Sequence, residues 1–135
     1  MGVDILDIRE IIPCTRVTRI HLAPGFVMGL MNLRGRILTI LDIAVLMGLE
    51  KQGKNFSSHI IVFKNTNVGF AVDQIGDLFD TGREKIESIP VNIDPRIQKY
   101  SDTIINLPDG VIMILNAGKI IACIRTEARA LKEDL

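Results

Sequence analysis

The sequence predicts a mainly β fold made of small β-barrels, and three observations support that class. Isoleucine, a β-branched residue that favours strands over helices, recurs in adjacent pairs along the chain. Short apolar segments alternate at regular spacing with turn residues, which is typical of small barrels rather than of a parallel sheet. Two stretches also repeat one pattern, which predicts two similar lobes. With 4% aromatic residues and no tryptophan, the core should be aliphatic.

The repeated pattern aligns residues 32–42 with residues 106–116 without a gap. Asn, Leu, Ile and Leu are identical at four aligned positions, and Asp42 falls opposite Asn116. Each copy is expected to form a hairpin that leads into a helix. A duplication and convergence on hairpin chemistry both explain the match.

The N-terminal segment, residues 3–12, has apolar spacings that fit both a strand and a helix. We expect a short strand followed by a helical turn, ended by Pro13. A proline and a glycine at Pro24 and Gly25 predict a loop before the first hairpin.

The first hairpin is expected over residues 28–42, where aliphatic and β-branched flanks surround a charged turn. Gly35 supplies the backbone freedom that a tight reversal needs. Arg34 and Arg36 should stand at or beside the tip, where a guanidinium offers five donors to a partner's carboxylate. No acidic residue lies within two positions on either side. The charge is therefore expected to serve a partner or simply to solvate the hairpin end.

After the hairpin, Asp42 is expected to cap a short helix over residues 43–49. A turn at residues 65–67 and a long crossover over residues 81–99 separate the elements that follow. The expected strands are residues 58–64, 68–74, 77–80, 103–107 and 111–115. A helix over residues 119–131 should end the chain.

Charge and hydropathy exclude several classes of function. Sixteen basic and sixteen acidic residues give a formal net charge of zero, so no field attracts nucleic acid. No apolar run approaches the ~20 residues of a transmembrane helix, and the N terminus lacks the layout of a signal peptide. We therefore expect a cytoplasmic protein without direct membrane insertion. Cys14 and Cys123 fit no metal-binding spacing and are expected to be buried thiols.

Few residues have a spacing that suggests catalysis. His21 and His59 have no neighbours at the spacing of a catalytic triad or a zinc site. Asp42 and Asp73 both follow apolar strands, but a helix cap and a turn account for them. We expect a binding module, not an enzyme, with no cofactor and no metal. The alternative is a small ligand-binding or catalytic β-barrel, which predicts a pocket of convergent ionisable groups.

Five segments together carry a resemblance to a known family. They are residues 3–11, 24–29, 68–73, the motif Asn32-Leu33-Arg34-Gly35 and the motif Leu41-Asp42-Ile43. In combination they resemble the CheW family of bacterial chemotaxis coupling proteins. The resemblance implies two SH3-like, five-stranded β-barrel lobes that share an aliphatic core in a single domain over residues 1–135. It also implies an adaptor that joins the cytoplasmic tips of chemoreceptors to the regulatory domain of the histidine kinase CheA.

The resemblance further implies which residues contact these partners. Ile5 and Ile8 would offer apolar area, Glu10 a carboxylate for a partner's cation, and Arg34 the complementary guanidinium. The family's remaining contact positions fall on Ile37 and Ile75, and its structural glycines near the interface fall on Gly29, Gly35 and Gly69. These glycines are expected to allow close packing of the backbone.

The chain departs from the family pattern at two places. Relatives carry a further N-terminal strand before residue 3, so one barrel edge is expected to be unpaired and open to a homodimer. Residues 103–105 occupy a stretch where relatives place glycines before the last hairpin. An auxiliary coupling domain, like the one in CheV, is the alternative within the same kind of function.

Overall fold

The computed structural model describes residues 1–20, 24–48, 58–73, 75–76, 86–89, 95–108 and 110–133. Strands dominate, which confirms the mainly β class. The chain divides into two compact units, Leu6–Asp77 and Met1–Ile5 with Leu78–Leu135. The elements in chain order are β1 (Ile8–Pro13), β2 (Val27–Leu33), β3 (Arg36–Asp42), α1 (Ile43–Leu46), β4 (His59–Phe63), β5 (Val68–Val72), β6 (Ile86–Ser88), α2 (Pro95–Tyr100), β7 (Ser101–Leu107), β8 (Gly110–Leu115) and α3 (Ala117–Glu133).

The Leu6–Asp77 unit contains a five-stranded sheet in the order β1-β4-β5-β3-β2. All neighbours pair antiparallel except β3 and β5, which run parallel. The chain that follows β1 reaches the opposite edge of the sheet at one bridge, between Thr18 and Leu30. Among the described residues β1 and β2 are otherwise edges, so the expected five-stranded barrel is present as a sheet that is not closed.

The first hairpin, β2 with β3, forms as expected from the sequence. Leu33 pairs with Arg36 across a two-residue turn, and the side-chain oxygen of Asn32 accepts the N–H of Gly35 at 3.0 Å. Asp42 caps the next helix as expected, because its carboxylate accepts the N–H of Val45 at 3.3 Å. That helix ends at Leu46, three residues earlier than expected.

The expected order at the N terminus is wrong. A 3₁₀ turn at Ile5–Asp7 comes first and β1 follows it. The N–H of Lys64 donates to the carbonyl of Asp7 at 2.8 Å, and β1 then pairs along β4. Pairing with a strand far along the sequence decides the structure of this segment, so its local apolar spacing could not predict it.

The core of the Leu6–Asp77 unit is aliphatic apart from one aromatic pair. The buried cluster consists of Met31, Leu38, Ile40, Ile60, Val62 and Ala71. Phe63 and Phe70 are also buried, and their ring centroids lie 4.5 Å apart at an interplanar angle of 65°. Such an edge-to-face arrangement adds to the area that the rings bury.

The second unit contains a three-stranded sheet in the order β6-β7-β8. Both β6 and α2 lie in the stretch that was expected to be a crossover, so that expectation was incomplete. Gly2 bridges to Ile114 in parallel, with its N–H on Met113 O and its carbonyl on Leu115 N–H, both at 2.8 Å. The second hairpin and the last helix form as expected, although α3 is longer.

The described residues do not show a second five-stranded barrel, because this unit has three strands there. The strand expected at residues 77–80 lies outside the described residues, and so does His21. That the two lobes form a single domain around one core stays a prediction.

Both cysteines are free and half-buried rather than fully buried. Burial, followed by the carboxylate of Asp42, raises the pKa of the Cys14 thiol. Within the described part of the chain, no helix has the length and apolarity to span a membrane.

Candidate protein-docking site

The tip of the first hairpin holds Arg34 in an uncommon backbone conformation. Its φ is +51° and that of Gly35 is +83°, so both residues occupy the left-handed region that two-residue hairpin turns require. For a residue with a Cβ this conformation costs about 1 kcal/mol or more. The surrounding strands therefore fix the direction in which the arginine leaves the turn.

The guanidinium of Arg34 pairs with an acid that its local sequence does not contain. Nη1 of Arg34 lies 2.9 Å from Oε1 of Glu10, 24 positions away. Glu10 and Arg34 thus pair with each other in the free chain, and their contact with a partner stays a prediction. The arginine side chain is 71% exposed and the glutamate 21%. An ion pair this exposed contributes about 0.2–1 kcal/mol, so a partner's carboxylate can replace Glu10 at little cost.

Arg36 connects the hairpin tip to a second turn. Its Nη2 donates to the carbonyl of Thr66 at 3.1 Å and to the side-chain oxygen of Asn67 at 2.7 Å. The N–H of Thr39 also donates to the carbonyl of Asn67 at 2.8 Å. The sequence predicts Arg36 at or beside the tip but does not signal its contact with Asn67. The parallel pairing of β3 with β5 brings them together, and nothing in their spacing signals it.

The isoleucines expected to contact partners divide between exposed and half-buried positions. Ile37, next to Arg36, is 61% exposed, and Ile5 is 52% exposed. Ile8 is half-buried at the start of β1. Ile75 is 39% exposed, but it follows the end of β5 opposite to Asn67. Because five strand residues span about 17 Å, Ile75 does not belong to the cluster around Arg34.

The three glycines differ in what they permit. A Cβ on Gly29 would overlap the carbonyl oxygen of Thr18, and one on Gly69 would lie 2.7 Å from Cγ2 of Ile60. These two glycines are buried and allow close packing. A Cβ on Gly35 would meet no atom within 4 Å, so its role is the backbone conformation of the turn.

A shallow depression lies beside the Arg34–Glu10 pair, and we call it the arginine depression. It is lined by Arg9, Glu10, Leu33, Arg34, Arg36, Leu38 and Val62. Leu38 and Val62 are buried, whereas the arginines are exposed, so apolar side chains form its floor and charged ones its rim. Its cavity volume is about 70 Å³, which is small for a site that encloses a small molecule.

A serine–histidine contact also lies in the Leu6–Asp77 unit. Ser58 Oγ lies 2.8 Å from Nδ1 of His59 and donates to the carbonyl of Asp73 at 2.6 Å. A hydroxyl has one hydrogen, so when Oγ donates to the carbonyl of Asp73 it accepts from the imidazole. In that arrangement the imidazole is the donor, the reverse of a histidine base that activates a serine.

A metal site would need several nitrogen, sulfur or carboxylate ligands to converge within the part of the chain that the structure describes. Three or more His, Cys, Asp or Glu side chains do not converge there. That the chain binds no metal and no cofactor stays a prediction.

Comparison with known families identifies the fold. The profile of the family described as CheW-like domain matches residues 1–124. The chain belongs to this family. The crystal structure of the scaffolding protein TtCheW from Thermoanaerobacter tengcongensis matches with a TM-score of 0.75 and 28% identity, over 84% of this chain and 79% of that one.

Curated family members are similar over different lengths. The chemotaxis protein CheW of Klebsiella aerogenes is 36% identical over 93 residues, which cover 66% of this chain and 55% of that protein. CheW of Thermotoga maritima is 25% identical over 122 residues, which cover 90% and 80%. The chain thus spans little more than half of the first relative and most of the second.

Proposed function

We propose that this CheW-like chain is a non-catalytic adaptor of bacterial chemotaxis. It couples the cytoplasmic tips of chemoreceptors to the regulatory domain of the histidine kinase CheA. Membership of the family supports this proposal, as do the names of its relatives, which are chemotaxis and scaffolding proteins. A cytoplasmic location follows from the same proposal.

One observation supports the adaptor role most directly: the exposed guanidinium of Arg34 on a stiff turn. The strained backbone fixes its direction, and Glu10 holds it only weakly because the pair is exposed. An arginine presented in this way recognises a carboxylate with defined geometry. Ile37 adds exposed apolar area beside it, as protein interfaces require.

A reconstituted signalling assay tests the proposal. Kinase autophosphorylation is measured with receptor and CheA, with and without this chain. We expect receptor control of the kinase only when the chain is present. Equal kinase regulation without the chain would contradict the adaptor role.

Calorimetry separates this function from its alternatives. Titration of the chain with a receptor tip and with the CheA regulatory domain should give binding to both. An auxiliary coupling domain like that of CheV would bind the same partners but would act together with a phosphorylated receiver. A ligand-binding or catalytic barrel would bind neither. The small volume of the arginine depression favours the docking of a protein segment over such a barrel.

A second copy of the chain is a further proposed partner, at the outer edge of β8. Among the described residues this edge pairs only with Gly2, and Val111 on the same strand is exposed. An edge with unpaired backbone groups is a template for another strand. Light scattering should show a concentration-dependent dimer, which Val111→Lys should shift to monomer. A wild-type chain that stays monomeric at high concentration would rule the dimer out.

A further inference from the structure

We propose that the arginine depression receives a glutamate side chain of the docked partner, and that Arg36 determines this specificity. The inference rests on the proposed adaptor function and adds the chemistry of the contact. It concerns Arg9, Arg36 and the apolar floor, in addition to the Arg34–Glu10 pair described above. Charge, geometry and the apolar floor each support it.

The charge of the depression is strongly positive in a neutral protein. The whole chain has a formal net charge of zero, but three arginines and one glutamate line this depression. Glu10 is already paired with Arg34. The charges of Arg9 and Arg36 therefore have no acidic counterpart among the lining residues, and an acidic partner complements them.

The geometry of Arg36 makes it a prepared receptor for a carboxylate. Both of its hydrogen bonds to described residues use Nη2, so the guanidinium is held against Thr66 and Asn67. Because this anchoring is already made in the free protein, binding loses less side-chain freedom than it would at an unanchored arginine. The remaining donors of the planar group can then meet an incoming carboxylate.

The apolar floor of the depression favours a glutamate over a shorter acid. Leu38 and Val62 are buried at its floor and Leu33 is half-buried. The two methylene groups of a glutamate can pack on this floor while its carboxylate stays at the level of the arginines, as amphipathic side chains do elsewhere. An aspartate at the same backbone distance would leave the floor uncovered.

Binding of variants to the CheA regulatory domain and to a receptor tip tests the inference. The full chain is titrated at low and at high salt in four forms: wild type, Arg36→Gln, Arg9→Gln and Arg125→Gln. Arg125 is an exposed arginine of α3, so its variant removes the same charge on the other compact unit. Circular dichroism melting confirms that each variant is folded.

We expect Arg36→Gln to weaken binding to at least one partner about tenfold, since it removes a charge-assisted contact. Arg9→Gln should weaken the same binding less, and Arg125→Gln should leave it unchanged. The loss in Arg36→Gln should be largest at low salt, where charges are least screened. Replacing the partner's glutamates one at a time by glutamine should then identify one whose effect disappears in the Arg36→Gln background.

Other outcomes overturn the inference in distinguishable ways. If the wild type binds both partners and Arg36→Gln binds equally well, the depression is not the contact, and the adaptor function stands. If Arg36→Gln and Arg125→Gln weaken binding equally, only overall charge matters. If every glutamate variant of the partner adds its full effect to that of Arg36→Gln, no glutamate enters the depression. If the wild type binds neither partner, the adaptor function and the inference fail together.

Discussion

The first and second hairpins share one backbone plan although their tips differ in chemistry. Leu33 pairs with Arg36 in the first and Leu107 with Gly110 in the second, so aligned residues have the same register. Each hairpin is interrupted by an irregularity at the equivalent place. The irregularities lie between Val27 and Gly29 and between Ser101 and Thr103.

The helices that follow the two hairpins also begin in the same way. The carboxylate of Asp42 accepts the N–H of Val45 at 3.3 Å, and the amide oxygen of Asn116 accepts the N–H of Lys119 at 3.1 Å. The prediction that each copy forms a hairpin leading into a helix is confirmed, whereas the similarity of the two whole lobes stays a prediction. The two copies agree in strand register and in helix capping although only four aligned residues are identical. The pattern therefore specifies a complete hairpin together with the cap of the helix that follows it.

The hairpins differ in what lies beside them. In the first, β3 lies between β2 and β5, and Leu38 and Ile40 are fully buried. In the second, β8 pairs among the described residues with β7 and otherwise only with Gly2, and Ile112 and Ile114 are half-buried. The hairpin sequence thus sets the local fold, whereas neighbouring strands set its burial. Only the first hairpin presents an arginine at its tip.

The largest expected effect concerns the packing beside the first hairpin. Gly29 aligns with Thr103 of the second hairpin, so the backbone that the two hairpins share accepts a side chain at this position. In the first hairpin, however, Gly29→Ala places a Cβ against the carbonyl of Thr18. We expect a loss of at least about 3 kcal/mol in the free energy of unfolding, measured by urea denaturation.

Gly76→Ala is the matched control for this variant, because a Cβ there meets no atom within 4 Å. It should change stability by no more than about 0.5 kcal/mol. Equal stability of the two variants would contradict the close approach of Thr18 to β2.

Charge reversal at the tip tests whether the first hairpin alone recognises partners. Arg34→Glu places two carboxylates together and should weaken partner binding by about 2–3 kcal/mol, measured by calorimetry. The melting temperature should stay close to that of the wild type, because the Glu10 pair is exposed. Arg125→Glu, a reversal on α3, should leave binding unchanged. Unchanged binding in Arg34→Glu would make Arg34 an ordinary surface residue.

Substitution of Gly35 in the turn should lower stability, although the space around this residue is open. Gly35→Val meets no steric obstacle, but its φ of +83° disfavours a β-branched residue. We expect a loss of about 1–2 kcal/mol by urea denaturation. Gly35→Asn should lose clearly less, because asparagine tolerates this conformation. Undiminished stability in Gly35→Val would contradict the turn geometry.

The smallest expected effect is acid sensitivity at the second hairpin. Hydrogen bonds from Lys119 and then from Asn116 lower the pKa of Asp102. A carboxyl whose pKa is lowered in the folded state stabilises the fold. This contribution is fully present at pH values above the unfolded pKa of about 3.9, and it is lost as the pH falls through the lower folded-state pKa. Because these groups are exposed, we expect well under ~1 kcal/mol. Asp102→Asn should reduce the difference in unfolding free energy between pH 7 and pH 3; an unchanged difference would contradict this role.

The elements that could be predicted from the sequence depend on local chemistry. The turn at Gly35, the cap at Asp42 and the hairpin registers follow from residue type and spacing. The order of the 3₁₀ turn and β1 was wrong because pairing with β4 decides it. Strand β6 was missed because it is short and its three residues are exposed, so it has no apolar period.

The candidate site divides in the same way. Arg34 could be placed at a tip from its own turn, because that turn is local. Its pairing with Glu10 and the bonds of Arg36 to the 65–67 turn could not be predicted, because they join residues 24 to 31 positions apart. Side-chain contacts across such separations depend on strand order, which a single sequence does not reveal.

The long sequence separation between β1 and β4 has a consequence for synthesis. Ile12 pairs with Ile60, so β1 must wait for about 50 further residues, roughly 3–10 s at ~5–20 residues per second on the ribosome. During that time the apolar residues of β1 are exposed on the nascent chain. The first hairpin, whose contacts are local, forms within microseconds of its emergence and is the earliest element that can begin to cover them.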